Sequence, residues 1–483
     1  MKWKDVDYTP YTSTNPLDSG EESLRQEDFI QKTSVVVREL SEKLGRVPTA
    51  CVVTFGCQMN ARDSEKLCGI LSRVGYMLTE EEEADLVVYN TCTVRDNANQ
   101  RVYGRLGHLN AMKKVLPSKK IALCGCMVQE VSVIEKIRKS YSFVDLIFGT
   151  HNIYKFPELL YMMLTSDKMI VDVWKDTNAI VEDLPVERKY PFKSGVNIMF
   201  GCDKFCTYCI VPYVRGRERS RDPREILREV ESLAADGVSE VMLLGQNVDS
   251  YGKGLSDGIS FPGLLREVEK VDGIRRIRFM TSHPRDLSDE LIGLMAGSKK
   301  ICPHLHLPVQ SGSSRILKAM NRGYTRESYM ELVGRLRATM PELALTTDII
   351  VGFPGETMED IEETISLVKE VEYDNAFTFI YSPRTGTPAA DMPRSMNDEE
   401  IKEGFDKLLK AVQETAKKRV ARYAGRCEEA LIESLNDHDE AMVTGRLGNN
   451  LLVHLKGGSE LIGSYVNVKL LENKGFYYIG EML

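Results

Sequence analysis

The chain has 483 residues, 42% hydrophobic and 28% charged, with a formal net charge of -8 at pH 7 and 11 cysteines. That is ordinary for a soluble chain of roughly three domains, and no segment approaches the roughly 18 unbroken apolar residues of a membrane span. The acidic balance argues against a protein that grips nucleic acid over its whole surface, so any basic patch for such a partner must be sought locally.

Residues 1–45 are polar and lack the basic, apolar and small-residue order of a secretory signal; they read as a flexible extension. Eleven cysteines without an export signal point to the cytoplasm, where grouped thiols hold metal more often than they form disulfides.

From CVVTF (51–55) onward, strand, turn and helix repeat. DLVVYN (85–90) and IALCG (121–125) are apolar runs of the buried parallel-strand kind, and DLIFG (145–149) reads as a fourth. The class is α/β, with an open parallel sheet over residues 46–165. Its first three strands end at Cys57, Cys92 and Cys126, spaced by 35 and 34 residues. One βα unit per interval gathers these thiols at the carboxyl edge of the sheet, where open α/β sheets bind ligands.

Residues 166–190 read as a linker, running into VEDLPVERKYPFKSG. From VNIMFGC a longer series begins: EVMLLGQN, RIRFMTSHP, HLHLPVQSG, ALTTDIIVGFPGE and AFTFIYSPRTGTP. Helix starts are signed by Asp222 with Pro223, by Thr325, and by Thr357 with Asp360 three residues on. Six such βα units over 191–415 fit a partial (β/α)6 barrel better than an open sheet, because their strands end in polar or glycine-rich loops that would share one mouth. A charged helix from about Asp398 to Arg422 follows, with Gly425 as its expected stop. Five short β-like runs in residues 416–483 then suggest a small β-barrel.

The stretch GCDKFCTYC carries Cys202, Cys206 and Cys209 just after the first barrel strand. Three thiolates from one loop leave one iron of a cube without a protein ligand, whereas zinc would want a fourth Cys or His nearby. In spacing and position this loop resembles the radical S-adenosylmethionine (SAM) superfamily. The resemblance implies that SAM is the fourth ligand and that one electron from the cluster releases a 5′-deoxyadenosyl radical from it. Tyr208, Gln246, Asn247, Gln310, Arg322 and Asp348 are the SAM-contact candidates it suggests, weighed against purely structural polar residues at a barrel mouth.

Cys57, Cys92 and Cys126 repeat the three-thiol pattern in a separate domain. TFGCQMN, NTCTVR and CGCM, together with GCDKFCTYCIVPYVRGRERSR, resemble the radical-SAM methylthiotransferase family from about residue 46 to 483. That family joins an N-terminal cluster domain to a radical barrel and a C-terminal TRAM domain. The flanks NTCTVRDNANQRVYGRLGHL and VPYVRGRERSRDPREI are similar to the branch acting on N6-isopentenyladenosine at position 37 of tRNA. Branches acting on threonylcarbamoyladenosine or a ribosomal-protein aspartate share the cysteines.

The resemblance implies two [4Fe-4S] clusters, two SAM molecules per turnover and a sulfur species on the auxiliary cluster. It also implies the tRNA anticodon stem-loop as partner and a reductant such as flavodoxin or ferredoxin. No catalytic side chain beyond the cluster ligands is assigned. Cys124, two residues before Cys126, departs from the pattern and reads as a buried strand residue; Cys51, Cys68, Cys302 and Cys427 read as core. A two-cluster electron-transfer or RNA-binding scaffold without turnover is the competing class.

Arg215, Arg217, Arg219 and Arg221 alternate, so an extended strand would put all four on one phosphate-binding face, unless Glu218 merely neutralises a solvated loop. Lys417, Lys418 and Arg419, with Arg422 and Arg426, form a second basic group. The C-terminal barrel itself is acidic, so RNA binding there rests on the resemblance to TRAM alone. Phe377, Phe379 and Tyr381 alternate on one strand and suit either base stacking or a packed barrel interior.

Overall fold

The computed structural model describes residues 6–12, 19–93, 96–256 and 258–483. Parts of the extension (1–5, 13–18) and Val94–Arg95 of the quoted flank lie outside them. Two compact units result: Met1–Tyr190 with Met199–Asp203 and Cys209–Arg221, and Pro191–Ile198 with Lys204–Tyr208 and Asp222–Leu483. The chain passes between units inside the cysteine loop.

In the first unit the apolar runs become parallel strands β1 (Thr49–Thr54), β2 (Met77–Leu78), β3 (Leu86–Thr91), β4 (Lys120–Gly125), β5 (Leu146–Phe148) and β6 (Ile170–Asp172), ordered β2-β1-β3-β4-β5-β6. Strand alternation feeds two cores. Cys51, Val87, Tyr89, Ile121 and Leu123 pack on one face against helix Asp96–Val115 through Val102, Leu106 and Leu109. Ala50, Leu86, Val88, Ala122 and Cys124 pack on the other with Leu67, Ile70 and Leu159. Burial on both faces explains why these strands read as continuous apolar runs.

Two expectations are corrected. The supposed extension contains a 26-residue helix, Ser19–Leu44, packed on Phe156–Thr165. Ile30, Thr33 and Val37 belong to its buried stripe, which begins with Glu22 and Gln26, and Arg25 reaches Glu158 at 2.6 Å. A narrow stripe at i, i+3 and i+7 is diluted by the polar residues around it. The supposed linker supplies β6, and its later part is bound to the same unit through Glu187 N–H and Glu65 C=O at 2.9 Å.

The second unit holds β7 (Lys193–Asn197), and after it the short pair β8 (Met199–Phe200) and β9 (Arg219–Ser220) returns to the first unit. The series resumes with β10 (Glu240–Leu244), β11 (Arg276–Met280), β12 (His304–His306), β13 (Ala344–Val351) and β14 (Asn375–Ile380). Sheets β11-β10-β7 and β12-β13-β14 are parallel, and Cys302 N–H joins them by donating to Ile277 C=O at 2.9 Å. The result is a partial barrel of six strands. Asp222 caps its helix by accepting from Arg224 N–H, and Thr325 and Thr357 form capping boxes.

Helix Asp398–Val420 runs unbroken through the expected boundary at 415/416, and Gly425 serves the turn beyond it rather than the helix end. Strands β15 (Cys427–Leu435), β16 (Met442–Leu447), β17 (Leu452–Lys456), β18 (Tyr465–Asn473) and β19 (Tyr477–Met482) close as β15-β16-β17-β19-β18. Buried Arg278 fixes this barrel to β11, donating to Leu447 C=O at 2.8 Å and Gly448 C=O at 3.0 Å.

Candidate metal centres

Adjacent strands β1, β3 and β4 deliver Cys57, Cys92 and Cys126 to one sheet edge. A Cβ on Gly56 would lie 2.7 Å from the Cys92 Cβ, and Cys126 N–H donates to Thr91 C=O at 2.9 Å. At Gly125 φ is +96°, and any side chain would strike the Thr91 carbonyl, so glycine is what lets Cys126 approach its neighbours. Asn60 ties the edge together, accepting from the Cys57 thiol at 3.3 Å and donating to Asn90 Oδ1 and Thr91 C=O at 3.0 Å.

Arg215 enters this site. The residue is 6% exposed, and its guanidinium donates to the Cys126 thiol and meets Asp63 Oδ2 at 2.9 Å and Asn60 Oδ1 at 3.2 Å. Burial opposes its charge, but Cys126, Asp63 and Cys57 outweigh that and hold it protonated. Burial pushes the Cys126 thiol up to about 12 despite Arg215. Ile210 and Val214 cover the same cysteine. Cys124 sits in the sheet core as expected; Cys427, expected in a core, is exposed.

Within the second unit, the segment Lys204–Tyr208 that carries Cys206 is held by the barrel loop 319–322. Thr207 N–H and Oγ1 bond Met320 C=O and Ala319 C=O, and Asn321 Nδ2 reaches Lys204 C=O at 3.2 Å and Phe205 C=O at 3.1 Å. Arg322, expected at SAM, has its donors on Cys206 Sγ (3.3 Å), Pro308 C=O (2.8 Å) and Tyr324 Oη (3.0 Å). These bonds place it in support of a thiol of the trio. Lys204, inside the cysteine loop, pairs with Asp286, which also accepts from Asn247 Nδ2 at 2.6 Å.

Among the other SAM candidates, Asn247 Oδ1 is a buried acceptor without a partner, suited to a ligand N–H. Gln246 is partly buried beside it in the chain. Gln310 is pinned to β13 in a left-handed conformation, φ +71°. Asp348 lies 3.4 Å from His306 Nε2, and Tyr208 packs on Ile316, Phe353 and Tyr381. Asp249, unmarked in the sequence, is half-buried beside Ser282 and His283, and desolvation raises its carboxyl to about 7.

Three thiols without a fourth Cys or His in each donor set fit a cube with one open iron. Among the described residues no three such side chains converge to the spacing of a single ion, and a cube spreads its ligands more widely.

The four arginines do not share a face. Arg215 is buried at the thiols, Arg221 pairs with Glu182 at 2.5 Å, Arg219 is half-buried and donates to Thr177 C=O, and Arg217 is exposed beside Asp203. The reason is a kinked path, a short helix at Val211–Val214 and a positive φ at Gly216, in place of an extended strand. The second basic group is largely neutralised. Lys418 pairs with Glu372, Arg422 with Asp374 at 2.7 Å and Arg426 with Glu342 at 2.7 Å, while Arg419 donates to Pro341 C=O; Lys417 stays exposed.

Family models match three stretches of the chain: the uncharacterized protein family UPF0004 at 49–149, the Radical SAM superfamily at 196–368 and the TRAM domain at 421–483. The fold is that of a radical SAM enzyme, a class that implies a [4Fe-4S] cluster and SAM. A tRNA-2-methylthio-N(6)-dimethylallyladenosine synthase of Lachnoclostridium phytofermentans is 58% identical over 92% of this chain and 98% of its own. One of Acetivibrio thermocellus is 51% identical over 94% of each. The chain belongs to the tRNA-2-methylthio-N(6)-dimethylallyladenosine synthase family, the tRNA methylthiotransferases. Among solved structures, the radical S-adenosylmethionine methyltransferase TsrM of Kitasatospora setae superposes with TM-score 0.50 at 14% identity, over 71% of this chain and 75% of that one, a likeness of fold alone. Among the described residues no helix is long and apolar enough to cross a membrane.

Proposed function

We propose that the enzyme adds a methylthio group to C2 of N6-isopentenyladenosine at position 37 of tRNA, giving 2-methylthio-N6-isopentenyladenosine. The observation that carries this reading is the sheet-edge meeting of Cys57, Cys92 and Cys126, a second open-iron donor set beyond what radical generation needs. When bound, two [4Fe-4S] clusters and two SAM molecules per turnover supply the 5′-deoxyadenosyl radical at one trio and a methylated sulfur at the other.

The chain's own residues position and exclude. Asn321 and Arg322 fix the cysteine loop, and Arg215 neutralises charge beside the auxiliary thiols. On β14, Phe377 and Phe379 are 49% and 37% exposed, with the Phe377 ring 6.0 Å from that of His306. Exposure favours their role as stacking faces for an extruded base over a packed interior, which fits Tyr381. Arg217 and Lys417 are exposed cations, one in each basic group, and suit the phosphates of an anticodon stem-loop. The reductant is of the flavodoxin or ferredoxin class, and the compartment is the cytoplasm.

The test offers anaerobically reconstituted enzyme isopentenylated tRNA, threonylcarbamoylated tRNA and ribosomal protein in parallel, and reads thiomethyl mass. Product on the first alone is expected; product only on either of the others overturns the assignment.

A further inference from the structure

Within the first unit, beyond Arg215, lies a cavity of about 50 Å³ lined by Asp63, Lys66, His151, Tyr154, Arg215 and Arg219, among others. That volume holds one or a few small species, being several times what a single water needs. His151 is 3% exposed and Tyr154 5%. Neither ring nitrogen of His151, nor the Tyr154 hydroxyl, nor the Arg219 Nε has a hydrogen-bond partner. Unpaired buried donors of this kind cost free energy unless something in the cavity accepts from them.

The charge is one-sided. Three cationic side chains face a single lining carboxylate, Asp63, which is already committed to Arg215 at 2.9 Å. Burial first, and then Arg215, lower the Arg219 guanidinium to about 10, with Asp176 as the only opposing carboxylate. Burial, with Arg219 and Arg215, lowers His151 to about 3, so the ring is neutral and offers one N–H. The hydroxyl of Tyr154, the Nε–H of Arg219 and that ring N–H are complementary to one small anion.

We propose that this cavity is a holding site for a small monovalent anion of the hydrosulfide class. The choice of hydrosulfide rests on the reading of Cys57, Cys92 and Cys126 as a sulfur-carrying centre. Arg215 lines the cavity and also donates to the Cys126 thiol, so an anion here waits one side chain away from the atoms that consume sulfur.

The test uses the full chain with its clusters, crystallised anaerobically and soaked separately in bromide and in hydroselenide, with diffraction recorded at each element's absorption edge. An anomalous peak in the cavity, within hydrogen-bond reach of Arg219 Nε, is expected in both soaks. Tyr154→Phe, which removes only the hydroxyl, should raise by about fivefold the bromide concentration needed for half occupancy, the loss of one modest hydrogen bond. No peak in either soak overturns the site, and a bromide peak without selenium overturns the hydrosulfide assignment. Iron analysis of the same protein separates the two readings: a single cluster with both peaks intact would remove the auxiliary-centre reading and leave the anion site standing.

Discussion

The two cysteine trios reach the same count by opposite routes. Cys202, Cys206 and Cys209 share one nine-residue stretch, and the backbone around Cys206 is bonded by a second loop, 319–322. Cys57, Cys92 and Cys126 come from three strands and are brought together by the sheet itself, with glycine at 125 permitting the approach. Each trio also has one buried arginine donating to one thiol, Arg215 to Cys126 and Arg322 to Cys206. A local set can be rebuilt by its loop, whereas a sheet-edge set exists only if the domain folds. The buried cation is the feature both share.

The largest expected effects separate the trios by what survives. Replacing Cys57, Cys92 and Cys126 together by Ala abolishes methylthiolation but leaves SAM cleavage to 5′-deoxyadenosine, whereas Cys206→Ala abolishes both. Exchanging the arginines probes the shared cation. Arg215→Met strands buried Asp63 and should cost about 3–5 kcal/mol in denaturant unfolding, with loss of the auxiliary cluster. Arg322→Met faces tyrosines and a thiol instead and should cost about 1–3 kcal/mol, with a lowered potential for the radical cluster as its own signature. On the substrate side of the barrel, Phe377→Ala should remove about 1–3 kcal/mol of stacking and raise the KM for tRNA by about 5- to 100-fold.

A smaller effect tests the barrel's support behind Tyr208. Burial raises the Glu356 carboxyl to about 8 from 4.5, against the Gly352 and Phe353 N–H groups that donate to it. The folded chain therefore holds this proton more tightly than the unfolded one. Its contribution to stability is fully present below about pH 4.5 and is lost as pH rises to about 8. Glu356→Gln should flatten that decline, so the Tm difference in its favour grows between pH 5 and 8; a difference independent of pH would contradict the assignment. The sheet unit should show no response to this substitution.

Legibility in the sequence followed the same division. C-x3-C-x2-C is a local pattern, and the strand-end cysteines were reachable because one βα unit separates each from the next. The barrel strands and the five-stranded C-terminal barrel were legible from apolar runs and turn residues. Arg215 was not: its alternation with Arg217, Arg219 and Arg221 suggests a solvent face, and only the kink at Val211–Val214 and Gly216 turns it inward. Helix Ser19–Leu44 escaped because only Ile30 and Val37 of its five buried residues are apolar, which gives a weak periodic signal. The neutralisation of Arg422 and Arg426 by Asp374 and Glu342 depends on contacts about 50 to 85 residues apart, which no local window contains.

Mössbauer spectroscopy with iron analysis of the anaerobically prepared chain tests the central claim most directly. Two cubes, about eight irons per chain, are expected, falling to one cube when Cys57, Cys92 and Cys126 are replaced together. A single cube in the unaltered chain, insensitive to those three replacements, would contradict the account.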